Sequence, residues 1–353
     1  MIRGTGSYIP ERLIENSHFL KHDFFDNDGK RFERGNREII EKFEAITGIR
    51  ARQYATDDQC ASDMATHAAL ESLSSSGIDP ESLDYIIVAH NFGDVVAGTR
   101  RSDMVPTLAA RVKHRLRIKN PLTVAYDLPF GCPGWVQAVI QADYFIRSGD
   151  ARRALVVGAE TLSRVSDPHD RDCMIYADGA GACVLEGTTS DKQAGILAHT
   201  TRSDTFEEAM LLRMGPSYNP DWDGSDIFLK MNGHRLYEYA LRTVPQAIKD
   251  CLTKAGLTIR DISKILIHQA NEKMDEAIVE RVYRLFGTDP APELVMPMTI
   301  SWLGNSSVAT IPTLLDLMLK GQIEKQALKS GQRIVLASVG AGMNINALVY
   351  AIP

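Results

Sequence analysis

The segment SGIDPESLDYIIVAH at 76–90 has a counterpart in AGLTIRDISKILIHQ at 255–269, with Gly77 matching Gly256 and Leu83 matching Ile262. Each copy follows a helical segment, MATHAALESLSS in one and VPQAIKDCLTKA in the other, and leads into four or five apolar residues. An unbroken apolar run of that length after a helix and a glycine turn reads as a parallel strand buried on both faces. The correspondence continues downstream. FGCPGWVQAVIQADYFIRSGDARRALVVGAE resembles LGNSSVATIPTLLDLMLKGQIEKQALKSGQRIVLASVG, each being a Gly-X turn, a helix, a polar connection and a buried strand. In this pairing Cys132 stands where Asn305 stands in the second copy. A chain written twice in this way is expected to be an α/β protein of two related halves with pseudo-twofold symmetry, its sheets buried between helical layers. The polar, turn-rich EGTTSDKQAG divides it into an N-terminal half, 1–188, and a C-terminal half, 189–353.

With 353 residues, 44% of them hydrophobic, the chain can bury a large core. A net charge of −6 argues against general nucleic-acid binding, which needs a basic face. One local exception is RVKHRLRIKN at 111–120, which reads either as a solvated helix face or as a surface attracting an acidic partner such as a carrier protein. The five cysteines (Cys60, Cys132, Cys173, Cys183, Cys251) are scattered without CxxC spacing, and the histidines show no metal-ligand spacing. Neither a disulfide framework nor a metal site is expected, and a reducing cytoplasm fits. The start, MIRGTGSYIPERL, has no charged-then-apolar pattern, and no apolar run reaches the roughly 18 residues of a membrane span, so export and membrane insertion are not expected.

Three residues carry the chemistry. Cys132 precedes Pro133, which suits the first helical position, so a helix N-terminus is expected to face the sulfur and favour its thiolate. Gly131 and Gly134 allow close approach of backbone and substrate. His268 follows the buried run ILI, and the carboxyl end of a parallel strand is where α/β folds place site residues, although a satisfied core histidine would look the same. Asn305, in LGNSS, is the pseudo-symmetric partner of Cys132, and alone it also reads as a turn or cap residue. ADGAGACVLEG lacks the third glycine of GxGxxG and reads as a strand-edge turn with Gly179 and Gly181 chosen for close packing. A second glycine-rich turn, with Gly340 and Gly342 around Ala341, could aim backbone N–H groups at an oxyanion.

With these residues placed, the chain resembles the β-ketoacyl-acyl-carrier-protein synthase III family of the thiolase superfamily, as a divergent member. GTGSYIPE, TGIRAR, the Cys132 turn, SRVSDPHDR, ADGAGA, IHQAN, GNSS and the terminal GAG occur in the family's order along nearly the whole length. The resemblance implies a thiolase-like duplicated fold in αβαβα layers and a homodimer. It also implies a decarboxylative Claisen condensation without metal or redox cofactor. Cys132 would take the acyl group from an acyl thioester, acyl-CoA or acyl-carrier protein. His268 and Asn305 would support decarboxylation of a malonyl unit carried by acyl carrier protein, and the N–H groups of Cys132 and Ala341 would form the oxyanion hole. Alternatives are a resorcinol- or polyketide-type ketosynthase, acyl transfer to an oxygen or nitrogen acceptor without decarboxylation, a non-catalytic partner subunit and a papain-like hydrolase. The chain departs from the family where a tryptophan and an arginine sandwich the adenine of coenzyme A, since Lys42 and Ile46 occupy those positions. FDNDGKRFERGNREIIEKF and NFGDVVAGTRRSDMVP are longer than usual, and Val105 replaces the phenylalanine that shapes the acyl pocket across the dimer. These departures imply a longer or unusual starter, delivered by a carrier protein docking on Arg111, Arg115 or Lys273.

Overall fold

A computed structural model describes residues 1–189 and 194–353. The expected half boundary at 188/189 adjoins residues 190–193, which lie outside the described residues.

The apolar runs form two sheets of matching topology. The first has the strand order Ile2–Tyr8, Asp178–Glu186, Arg153–Thr161, Tyr85–His90, Val124–Pro129. The second has the order Gly195–Ser203, Asn344–Ala351, Arg333–Gly340, Lys264–Ile267. Tyr85–His90 runs parallel to Arg153–Thr161, as Lys264–Ile267 does to Arg333–Gly340, and the remaining pairings toward the N-terminal strand of each half are antiparallel. Beyond Lys264–Ile267 the N–H of Ile265 donates to the carbonyl of Val295 at 2.9 Å, where the first sheet has its fifth strand.

The layers follow from which side chains share a core. Ile87, Val156 and Cys183 of the first sheet and Leu266, Leu336 and Leu348 of the second converge on Trp135, Val139, Ile311 and Leu315. The helices Gly134–Ser148 and Thr310–Leu319 are therefore sandwiched between the sheets. Ala61–Ser76 and Leu108–Arg115 cover the outer face of the first sheet, and Gly233–Lys254 and Glu272–Leu285 that of the second. The result is the expected αβαβα arrangement.

Two sequence expectations change. Gly179 and Gly181 lie inside Asp178–Glu186, which is hydrogen-bonded on both sides, and not in a turn at a strand edge. A Cβ on Gly181 would come within 2.7 Å of the Cβ of Pro312 and the N of Thr313, so the glycine lets the central helix lie directly on the sheet. The basic run is also not simply a solvated face. Arg111 bonds to Asp94 and Asp103, each at 2.7 Å, Arg115 to Asp63 at 2.8 Å, and Lys113 donates to the carbonyls of Asn120 and Thr123. Among the described residues no helix is long and apolar enough to cross a membrane.

Candidate active site

Cys132 sits between the strand Val124–Pro129 and the helix Gly134–Ser148. Helical conformation begins at Gly134, so Pro133 is the cap, one residue earlier than expected, and its carbonyl accepts from the N–H of Gln137 at 2.9 Å. Gly131, at φ 66, makes the turn. A Cβ there would sit 2.8 Å from the N of Ala341, and one on Gly340 would sit 2.5 Å from the N of Cys132. The two glycine-rich turns thus interlock, with the backbones of Cys132 and Ala341 against each other, and no larger residue fits.

His268 leaves the end of Lys264–Ile267, its N–H donating to the carbonyl of Ala337 at 2.8 Å. The ring is buried, and Nδ1 has no partner among the described residues. Burial lowers its pKa to about 4, opposed by the backbone of Ser307, so the ring is neutral at ordinary pH. Asn305 is held by backbone bonds on both sides, its N–H to Ile175 at 2.9 Å and its carbonyl to Ala177 N–H at 2.8 Å. Its Oδ1 accepts from the N–H of Ser307 at 2.8 Å, which leaves the carboxamide nitrogen as the donor for a substrate oxygen. Behind it, buried Arg52 donates to Met174 O, Ile14 O and Asn16 Oδ1, fixing the segment that grips Asn305.

The residue that connects all three is Ser307, which the sequence reading did not single out. Its hydroxyl donates to Cys132 Sγ at 3.2 Å, its N–H donates to Asn305 Oδ1 at 2.8 Å, and its backbone acts on the His268 ring to raise that ring's pKa against burial. Two further polar residues stand behind it. Asn91 Nδ2 lies 3.0 Å from Ser307 Oγ and 2.6 Å from Oε2 of fully buried Glu160. Each left a trace in the sequence. Ser307 is in the GNSS block, Asn91 follows a buried parallel strand as His268 does, and Glu160 is a charge ending the apolar run ALVVGAE.

The sulfur corrects one expectation. Burial pushes the Cys132 thiol up to about 11, the Ser307 hydroxyl acting in the opposite direction, so the resting group is a thiol and not the thiolate expected from the helix dipole. Of the residues expected at the periphery, Val105 is 87% exposed and Lys273 is exposed, whereas Arg111 is held by its two carboxylates. Lys42 and Ile46 are both exposed on the helix Asn36–Thr47. In their neighbourhood Gly48 and Arg50 line, with Glu41, Glu44, Glu272 and Ser301, a cavity of about 550 Å³. A separate aromatic–guanidinium contact comes from the lengthened segment, where Arg171 lies over the Phe32 ring at 5.3 Å.

A duplicated five-layer fold, with a cysteine at a helix entrance facing a histidine and an asparagine from the other half, defines a thiolase-type acyltransferase. The chain belongs to the 3-oxoacyl-[acyl-carrier-protein] synthase III family. That family matches at residues 126–205, and its C-terminal domain matches at 252–352. The chain is 33% identical to a β-ketoacyl-[acyl-carrier-protein] synthase III of Chelativorans sp., over 99% of this chain and 98% of that one. Among solved structures it is similar to the synthase III of Thermus thermophilus, with a TM-score of 0.81, 30% identity, and coverage of 100% of this chain and 99% of that one. The priming β-ketosynthase of a polyketide biosynthetic pathway also has a TM-score of 0.81, at 26% identity, covering 100% and 96%.

Proposed function

We propose that this protein catalyses decarboxylative Claisen condensation between an acyl group held on Cys132 and a malonyl-type extender on acyl carrier protein. The observation that carries the reading is the convergence of Cys132, His268 and Asn305 on Ser307. The Cys132 sulfur attacks the starter thioester, its proton passes to the departing sulfur, and the leaving thiol departs as an acyl-enzyme forms. The interlocked backbones of Cys132 and Ala341 supply N–H groups for the tetrahedral oxyanion. The extender then loses carbon dioxide. The enolate oxygen is stabilised by neutral His268 and the Asn305 carboxamide, and the carbanion attacks the acyl carbon, breaking its bond to the Cys132 sulfur, which takes up a proton as the 3-oxoacyl product leaves. Every step is served by side chains and backbone of this chain, and the reading includes no metal or redox cofactor.

The test separates the two half-reactions. His268→Ala and Asn305→Ala are expected to take up an acyl group, read by intact mass, yet release carbon dioxide from a malonyl thioester about 10² to 10³ times more slowly. A wild-type protein that acylates but decarboxylates no malonyl-type donor would instead indicate acyl transfer to another acceptor.

We further propose a cytoplasmic homodimer formed along the edge strand Val124–Pro129, because among the described residues no strand pairs with its outer edge, and Val124 at its start and Leu122 before it are exposed. Exposed Val105 then belongs to the acyl pocket across that interface. For the carrier protein, exposed Lys273 is the favoured contact, with half-exposed Arg115 secondary and Arg111 reduced to supporting the loop around Asp94 and Asp103. Lys42 and Ile46 offer no planar clamp for adenine, which supports a longer or unusual starter borne by a carrier.

A further inference from the structure

We propose that Glu160 is a positioning residue for Cys132, acting through Asn91 and Ser307 to set where the Ser307 hydroxyl proton points. The inference rests on Cys132 being the nucleophile. The contacts form an unbroken line through the core. Glu160 Oε2 accepts from both the backbone N–H and the side-chain Nδ2 of Asn91, at 2.9 and 2.6 Å. The same Nδ2 donates to Ser307 Oγ at 3.0 Å, and Ser307 Oγ lies 3.2 Å from Cys132 Sγ.

Donor and acceptor counting gives the line a direction. An ionised carboxylate can only accept, so it obliges Asn91 to present its NH₂ and not its carbonyl. One hydrogen of that NH₂ goes to Glu160 and the other to Ser307. Having accepted, the Ser307 hydroxyl turns its own hydrogen to the sulfur, where it stabilises a thiolate better than a thiol. When Glu160 carries a proton the direction can reverse. The carboxyl donates to the Asn91 carbonyl once the amide has flipped, Ser307 donates to that same carbonyl, and the sulfur loses its donor.

The surroundings place Glu160 where such a change falls within the working pH range. It is fully buried, and Oε1 has no partner among the described residues. Burial pushes its carboxyl up to about 7, opposed by His90 and by the two Asn91 bonds. Facing it are His90 from Tyr85–His90, whose ring is held between Gly93 N–H and Asp127, and Asp178 from the adjoining strand, which is bonded to Ser163 and Ala55. The Cys132 thiol lies on the third side.

The decisive feature is a sign. The negative charge of Glu160 by itself disfavours a nearby thiolate, so its removal through space alone would make Cys132 more reactive. The relay predicts the reverse. The experiment measures iodoacetamide alkylation of Cys132 in the full-length protein by peptide mass between pH 5.5 and 9, with melting temperatures run alongside. Glu160→Gln and Asn91→Ala are each expected to slow alkylation about tenfold at pH 8.5 and to remove the inflection expected of wild type near pH 7. Alkylation in Glu160→Gln that equals or exceeds wild type, with Asn91→Ala unchanged, overturns the relay and leaves the condensing function standing. If Glu160→Gln does not fold, Asn91→Ala alone decides, since it keeps the carboxylate and breaks the line. Wild-type acylation and alkylation that both miss Cys132 overturn the relay and the proposed function together.

Discussion

Cys132 is half-buried and its thiol pKa is raised by desolvation, and this orders what can be expected of the residues around it. Intact mass after exposure to acyl thioesters is expected to show one acyl group that is lost in Cys132→Ser and kept when Cys60, Cys173, Cys183 or Cys251 is replaced. His268 brings a pH dependence whose sign is fixed by its lowered pKa. Below the ordinary value of 6.5 the unfolded chain takes up a proton that the folded ring, near 4, refuses, so stability is lost as pH falls from about 6.5 to 4. The full effect is about 3 kcal/mol. Chemical denaturation across that range should show a shallower loss in His268→Gln than in wild type, whereas identical slopes would contradict the buried neutral imidazole.

At the scale of elements, glycines decide how closely the pieces meet. Gly181→Ala forces a Cβ against Pro312 and Thr313 and is expected to destabilise by about 1–3 kcal/mol with modest change in the turnover of folded enzyme. Gly340→Ala places its Cβ 2.5 Å from the Cys132 N, so it is expected to lower the melting temperature at least as much as Gly181→Ala and, unlike that variant, also to slow acylation of the protein that remains folded. A second element-scale device is buried Lys230, which bonds to Asp167 and Asp170 and lies over the Tyr218 ring at 3.3 Å. It pins the hairpin Leu212–Gly215/Phe228–Met231 to the loop after Arg153–Thr161. Lys230→Met leaves buried carboxylates uncompensated, with an expected loss of about 3–5 kcal/mol by denaturant titration.

For the whole molecule, the partner copy and the starter each carry a test. Leu122→Lys together with Val124→Lys places like charges at the outer strand Val124–Pro129. Sedimentation should then report a smaller species than wild type if that edge is the dimer interface. The starter is read by comparing acylation from acetyl-CoA, longer acyl-CoAs and the matching acyl-carrier proteins. A preference for carrier-borne or longer chains fits the missing clamp at Lys42 and Ile46. A strong preference for acetyl-CoA would favour a nucleotide site rebuilt by the lengthened segment. In that case Phe32→Ala, which removes the ring under Arg171, should raise the KM for the CoA thioester a few-fold.

Much of the fold was legible because duplication is a linear property. The apolar runs YIIVAH and KILI, each following a helix and a Gly turn, determined a pair of buried parallel strands, and the matching of Cys132 with Asn305 located both turns of the site. His268 was readable from its place after a strand. Only the tertiary structure decided what depends on distance between halves. Nothing in the linear sequence joins Ser307 to Cys132, yet the Ser307 hydroxyl lies 3.2 Å from that sulfur, 175 residues away. Arg111 looked available until Asp94 and Asp103 closed on it. The protonation of Cys132 was beyond the sequence for the same reason, because a helix N-terminus can be inferred from Pro133, whereas the depth of burial that outweighs it depends on everything packed around the turn.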